Sequence, residues 1–163
     1  MKFAKLLVFA AVAACSGGTP TNFAGTYSVT VTNQANACGF QNWTEGNSTA
    51  GIGVTITQDG STAQVQVQGV VGGLLTLFTG TNTMQGSVSG DTFTGEILGT
   101  KTATLSNTAC SYTVNTKLAA TLDANSVISG TLTYTPITNG DPSCGAYNTC
   151  SNNQTVSGNR TAP

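Results

Sequence analysis

From Cys110 to Leu122 the chain alternates without a break. Cys110, Tyr112, Val114, Thr116, Leu118, Ala120 and Leu122 share one parity; Ser111, Thr113, Asn115, Lys117, Ala119 and Thr121 share the other. Successive side chains leave a strand on opposite sides, so a period of two over this length predicts a β-strand with one buried face. Asp123-Ala124-Asn125 turns the chain. Ile128, Gly130, Leu132 and Tyr134 return in phase until Pro136, which has no N–H and is expected to end the ladder.

The same pattern recurs along the chain. Phe23, Gly25, Tyr27, Val29 and Val31 alternate with small polar residues. Ile52, Val54 and Ile56 lead through the tight turn Asp59-Gly60 to Ala63, Val65 and Val67. Thr83–Val88 turns at Gly90-Asp91 into 93–97, which Lys101–Leu105 is expected to extend, and Thr155–Thr161 is the last strand. The run from Val70 to Phe78 has no such period and reads as a strand buried on both faces, as a loop over the core, or as an apolar lip for lipid or a partner. No segment shows helical periodicity over ten residues. The expected class is all-β, with about eight strands.

Gly25, Gly95, Gly130 and Gly158 stand inside strands and in phase with the apolar face. Interior glycine weakens a strand but permits sharp bending, and successive hairpins suit closure. Both favour an antiparallel up-and-down β-barrel, with a β-sandwich as the alternative.

The N-terminus carries a resemblance. Lys2 and Lys5 precede a short apolar stretch, Leu6–Ala11, followed by Val12-Ala13-Ala14-Cys15. The stretch is too short for a permanent membrane span. The motif resembles the lipobox of bacterial lipoproteins. The resemblance implies a signal peptide over 1–14, cleavage before Cys15, a diacylglycerol on the Cys15 sulfur and an acyl chain on its amine. Two or three long chains make stable attachment. Ser16 after the lipidated residue implies the bacterial outer membrane as destination. Residues 15–22 then form the lipidated Cys and a flexible Gly/Ser/Pro tether, and 23–163 a single barrel domain.

Without residues 1–14, three basic residues (Lys101, Lys117, Arg160) face six acidic ones, so a phosphate backbone finds no partner and nucleic-acid binding is not expected. Setting Cys15 aside leaves Cys38, Cys110, Cys144 and Cys150, which in an exported chain predict two disulfides. The short loop between Cys144 and Cys150 favours their pairing, leaving Cys38 to Cys110. A metal site is not expected: the chain has no histidine, and the 139–141 loop offers one carboxylate to a cation.

A second resemblance rests on Gly25-Thr26-Tyr27, which looks like the Gly-x-Trp opening of lipocalins and their calycin relatives. In that family a last-strand arginine packs across the aromatic ring. The resemblance implies barrel closure by Arg160 over Tyr27, with tyrosine in the tryptophan position.

The absence of histidine removes Ser-His-Asp and Cys-His catalysis. Asp59, Asp91, Asp123 and Asp141 sit where turns need them. Glu96 is out of phase with Phe93 and Ile97 and is expected to face solvent. Phe40, Trp43 and Glu45, on the long loop beside Cys38, are the candidate binding residues, the two aromatics alternatively plugging one barrel end. The expected protein is no enzyme and needs no cofactor. It is a membrane-anchored envelope lipoprotein with a binding or structural role toward an envelope protein or polymer. One alternative is a carrier of a small apolar ligand, if Tyr27, Phe93, Tyr112, Leu118, Leu132 and Tyr134 leave the barrel hollow. The other is a hydrolase using Glu45 or Glu96 with an aspartate.

Overall fold

In the computed structural model, which describes residues 19–163, the alternating stretches become strands. They are β1 (Gly25–Asn33), β2 (Ser48–Asp59), β3 (Thr62–Val67), β4 (Thr83–Ser89), β5 (Thr92–Ile97), β6 (Ala103–Thr104), β7 (Ser111–Leu122), β8 (Val127–Thr138) and β9 (Asn152–Ala162). The expected signal segment, Cys15 and the tether through Gly18 lie outside the described residues.

Each strand pairs antiparallel with its successor from β1 to β5. β5 then pairs with β7, the order continues through β8 and β9, and β9 returns to β1. Eight strands close into an up-and-down barrel. The two-residue β6 adds to β7 beyond the end of β5, so the stretch expected to lengthen β5 instead continues its line after a break.

The in-phase residues form the core. Phe23, Tyr27, Ile56, Phe93 and Met84 are almost wholly buried. At Phe93 two glycines make room for the ring. A Cβ on Gly95 would strike Phe93 Cζ, and one on Gly86 would stand 2.7 Å from its Cε2. The barrel has two unlike ends. The base carries the tight turns after β2, β4 and β7. The mouth carries the longer connections, residues 34–47, 98–110 and 139–151, together with a helix.

That helix, α1 (Gly69–Thr79), corrects the reading of the unpatterned run. Val71 and Leu75 pack on the core, while Val70, Leu74, Leu77 and Phe78 are exposed. Apolar residues on every side erase the helical period. Its ends are pinned. Gln68 N–H donates to the Gly53 carbonyl at 2.8 Å, and the left-handed Gly80 donates to Thr76 at 2.9 Å. A Cβ on Gly72 would collide with the Val67 carbonyl, so this glycine lets the helix lie close against the strand end.

Three further expectations change. β8 runs past Pro136 to Thr138, because its ladder to β9 stops at Tyr134–Asn152 while that to β7 continues, and a proline is tolerated where a strand has become an edge. The chain is fixed to the base before residue 23: Thr21 N–H donates to Gly90 at 2.8 Å, and Gln58 bonds both Thr21 and Phe23. Thr21 and Asn22, expected within the tether, are therefore held against the base.

The disulfides are Cys38–Cys150 and Cys110–Cys144, with Cα separations of 5.1 and 4.9 Å. The favoured pairing fails because Cys144, within the 3₁₀ segment Pro142–Asn148, is turned to Cys110 while Cys150 meets Cys38. Cys150 leads into β9, beside β1, whose end leads to Cys38; Cys144 follows β8, beside β7, which Cys110 precedes. Each bridge thus joins the extensions of neighbouring strands. Two disulfides suit an oxidising, exported environment.

A Gly95→Ala substitution is expected to displace the Phe93 ring and cost about 1–3 kcal/mol. Urea unfolding of the oxidised protein measures it; an unchanged midpoint would remove Phe93 and its glycines from the account of closure.

Candidate functional site

The inward faces of the strands do not fill the barrel. Phe23, Phe93 and Tyr27 occupy the base, and Tyr112 and Tyr134 stand toward the mouth. Between them the inward layer consists largely of shorter side chains: Val29, Ile52, Val54, Val65, Met84 and Val156. They surround a cavity of about 260 Å³. Val71, Leu74 and Leu75 of α1 complete its wall on the mouth side. The six large residues on which a solid or hollow interior turns leave it hollow, because the largest rings lie toward its two ends.

The cavity is apolar except at one place. Tyr134 Oη donates to Gln154 Oε1 at 2.7 Å, and Gln154 Nε2 donates to Asn33 Oδ1 at 2.7 Å. Asn33 in turn donates to the Thr44 carbonyl at 3.1 Å. Thr49 adds a hydroxyl to the lining. None of the lining residues carries a charge. Burial pushes the Tyr134 phenol well above its ordinary value of 10.0. Gln154 lies one residue before the strand expected from Thr155; its phase with Val156, Gly158 and Arg160 is the signal that places it inward.

Phe40 and Trp43 lie on the rim. Their rings are 6.1 Å apart, Trp43 meets Tyr134 edge-on at 5.7 Å, and Phe40 meets Tyr147 at 5.6 Å. Tyr147 reaches Tyr112 at 4.8 Å, so five aromatic rings run in one chain of contacts. Asn36 shapes the loop below them: its Oδ1 accepts from Phe40 N–H at 2.8 Å and from Asn152 Nδ2 at 2.8 Å. Asn152, wholly buried on β9, accepts from Cys38 N–H at 2.9 Å beside the disulfide. Trp43 donates its indole N–H to Gln34 at 2.8 Å. These bonds fix the two aromatics as part of the mouth wall. Glu45 is exposed on the same loop, away from the cavity lining.

Tyr27 and Arg160 meet at the base. The guanidinium lies 5.4 Å from the ring centroid, and its Nε and Nη2 donate to Tyr27 Oη at 3.0 and 2.9 Å. Tyr27 Oη donates to the Phe23 carbonyl at 2.8 Å, and Arg160 also bonds the Asn22 carbonyl. A Cβ on Gly25 would stand 3.2 Å from Arg160 Nε, and its φ of 143° is one that side-chain-bearing residues avoid. Arginine, tyrosine and glycine thus seal the end opposite α1.

The acidic residues do not converge. Asp123 accepts from Asn125 and Val127 N–H, both at 2.8 Å, and Asp141 accepts from Ser143 N–H at 2.8 Å; the Ser143 side chain and then this N–H hold the Asp141 carboxyl below the usual range. Glu96 is exposed and lies opposite Lys117 across β5 and β7. Among the described residues no three histidine, cysteine, aspartate or glutamate side chains group as metal ligands, and no helix is long and apolar enough to cross a membrane. Comparison with protein-family models, with curated proteins and with solved structures found no significant match to the chain.

Two measurements follow from this geometry. Arg160→Lys removes the planar donor pair and the stacked cation, and is expected to cost about 1–2 kcal/mol in urea unfolding. An unchanged stability would make Arg160 a surface charge. The Tyr134 phenol keeps its proton where the unfolded chain loses it, so its contribution is complete below the ordinary pKa and declines as pH rises past about 10. Tyr134→Phe should flatten that decline and remove the last-ionising component from the alkaline absorbance titration at 295 nm; an identical titration would contradict the burial of this phenol.

Proposed function

We propose that the protein is an exported, lipid-anchored carrier of a small apolar molecule. The observation that carries this reading is the cavity of about 260 Å³ inside a closed barrel, with aliphatic walls and a helix across one end. Filling it with side chains would have stabilised the barrel, since interior voids forfeit packing contacts. A cavity engineered to about 150 Å³ in an apolar core admits benzene, so one of this size suits a ligand of about ten non-hydrogen atoms. The turn-bound aspartates and the exposed Glu45 and Glu96 offer no carboxylate pair around the cavity, which weighs against the hydrolase reading.

The anchor rests on the lipobox resemblance at Cys15. The described chain enters the barrel at the base, where Thr21 is bonded to Gly90. With Thr21 fixed, the link to Cys15 spans about 20 Å at full extension. A tilted twelve-residue strand such as β7 rises by about 30 Å, so the tether holds the sealed base toward the membrane and leaves the mouth facing away. That arrangement suits exchange of a ligand with the surroundings or with a partner rather than with the bilayer below.

Native mass spectrometry of the oxidised protein tests the carrier reading, with n-butylbenzene added as probe. A one-to-one complex is expected, and Leu132→Trp, which drives a large ring into the cavity, is expected to weaken it at least about tenfold while leaving the fold intact by circular dichroism. Binding that Leu132→Trp does not alter would place the probe elsewhere and sink the reading. Labelling with a radioactive fatty acid tests the anchor: Cys15→Ser should lose the label.

A further inference from the structure

The polar point of the cavity wall limits which apolar molecules fit, and this inference rests on the carrier reading. Tyr134 Oη is a donor to Gln154, which leaves a lone pair of the phenol oxygen without a protein partner. Gln154 Nε2 uses one of its two hydrogens on Asn33, which leaves the other. A free acceptor and a free donor therefore stand side by side in a largely aliphatic space, where Thr49 and Tyr27 supply the other polar groups of the lining.

Among the described residues no cation stands near them to receive an anion. None of the lining residues is charged. Lys101 and Lys117 are exposed, outside the lining, and Arg160 lies behind Tyr27 at the base, its guanidinium committed to Tyr27 and Asn22. An ionised carboxylate entering this space loses its water and meets neutral dipoles alone, which is costly. A hydroxyl donates to Tyr134 and accepts from Gln154, and meets no such cost.

We infer that the cavity selects neutral molecules bearing one hydroxyl or carbonyl group on a hydrocarbon body of about ten non-hydrogen atoms, seated with that group at Tyr134 and Gln154, and that it excludes the corresponding carboxylates. The ligand's polar group marks the mouth side and its hydrocarbon points toward Tyr27.

The test is a matched set of probes against the oxidised protein at pH 8 by titration calorimetry: octan-1-ol, octanoate and n-butylbenzene. Octan-1-ol is expected to bind at least about tenfold more tightly than octanoate, a difference set by burying an unpaired charge. Tyr134→Phe is expected to weaken octan-1-ol about three- to tenfold and leave n-butylbenzene unchanged, since only the alcohol uses the hydroxyl. Octanoate binding as tightly as the alcohol would overturn the selection of neutral ligands while leaving the carrier reading standing. Equal losses for alcohol and hydrocarbon in Tyr134→Phe would overturn the assigned seat of the polar group. Failure of all three probes to bind would sink the carrier reading and this inference with it.

Discussion

Six residue pairs between β5 and β7, from Thr92–Thr121 to Ile97–Thr116, turn a curved sheet into a closed barrel. Without them β5 and β7 would each present unpaired N–H and C=O groups to solvent, a template for aggregation. The pairing requires the sheet to bend sharply at β4 and β5, and there the inward positions are Gly86 and Gly95, with Phe93 folded over both. The ring supplies at one residue the volume that three inward side chains would otherwise share. Closure also sets the two ends apart. The β5–β7 connection must cross at the mouth, where it carries Cys110, while the two- to four-residue turns joining paired strands fall at the base. The sealed base and the elaborated mouth are consequences of one hydrogen-bonded seam.

The strands and the barrel were legible because burial of one face imposes a period of two that few other structures share. The alternation from Cys110 to Leu122 needed no knowledge of its neighbours. What remained hidden depends on distances across the barrel. Period two separates inward from outward residues, but does not reveal that Val29, Ile52, Val65 and Val156 line a common void. The cysteine pairing is hidden for a related reason: separation along the chain favours Cys144–Cys150, whereas strand neighbours decide the pairing in space. Helix α1 failed the test of periodicity because its outer face is as apolar as its inner one. Its glycines, unusual within a helix, lowered the signal further.

Of the candidate site, the aromatic part was legible and the polar part was not. Phe40 and Trp43 stood out as large apolar residues on a loop beside a cysteine, and both belong to the mouth wall. Gln154 was missed because a glutamine at the start of a strand resembles a loop residue. It becomes visible once Val156 fixes the phase of β9. Tyr27 and Arg160 were suggested by resemblance. Their contact has its own physical basis, a phenol that receives two guanidinium hydrogen bonds while donating to Phe23, with Gly25 giving the arginine room.

A hollow interior has to be held open by something other than its own packing. A void of about 260 Å³ forfeits on the order of 6 kcal/mol relative to a filled core, at about 24 cal/mol per Å³. The two disulfides close loops with sequence separations of 112 and 34 residues, which on the chain-entropy account contributes on the order of 8 kcal/mol together. Both bridges lie at the mouth, where the long connections would otherwise collapse inward or unravel. The base needs neither, since Phe23, Phe93 and the Tyr27–Arg160 contact fill it. Stabilisation is thus concentrated where packing is weakest, and the empty middle of the barrel keeps its shape before any ligand arrives. On the proposed carrier reading, a preformed cavity would lose little conformational freedom on binding, so the modest apolar surface of a small molecule would suffice for affinity.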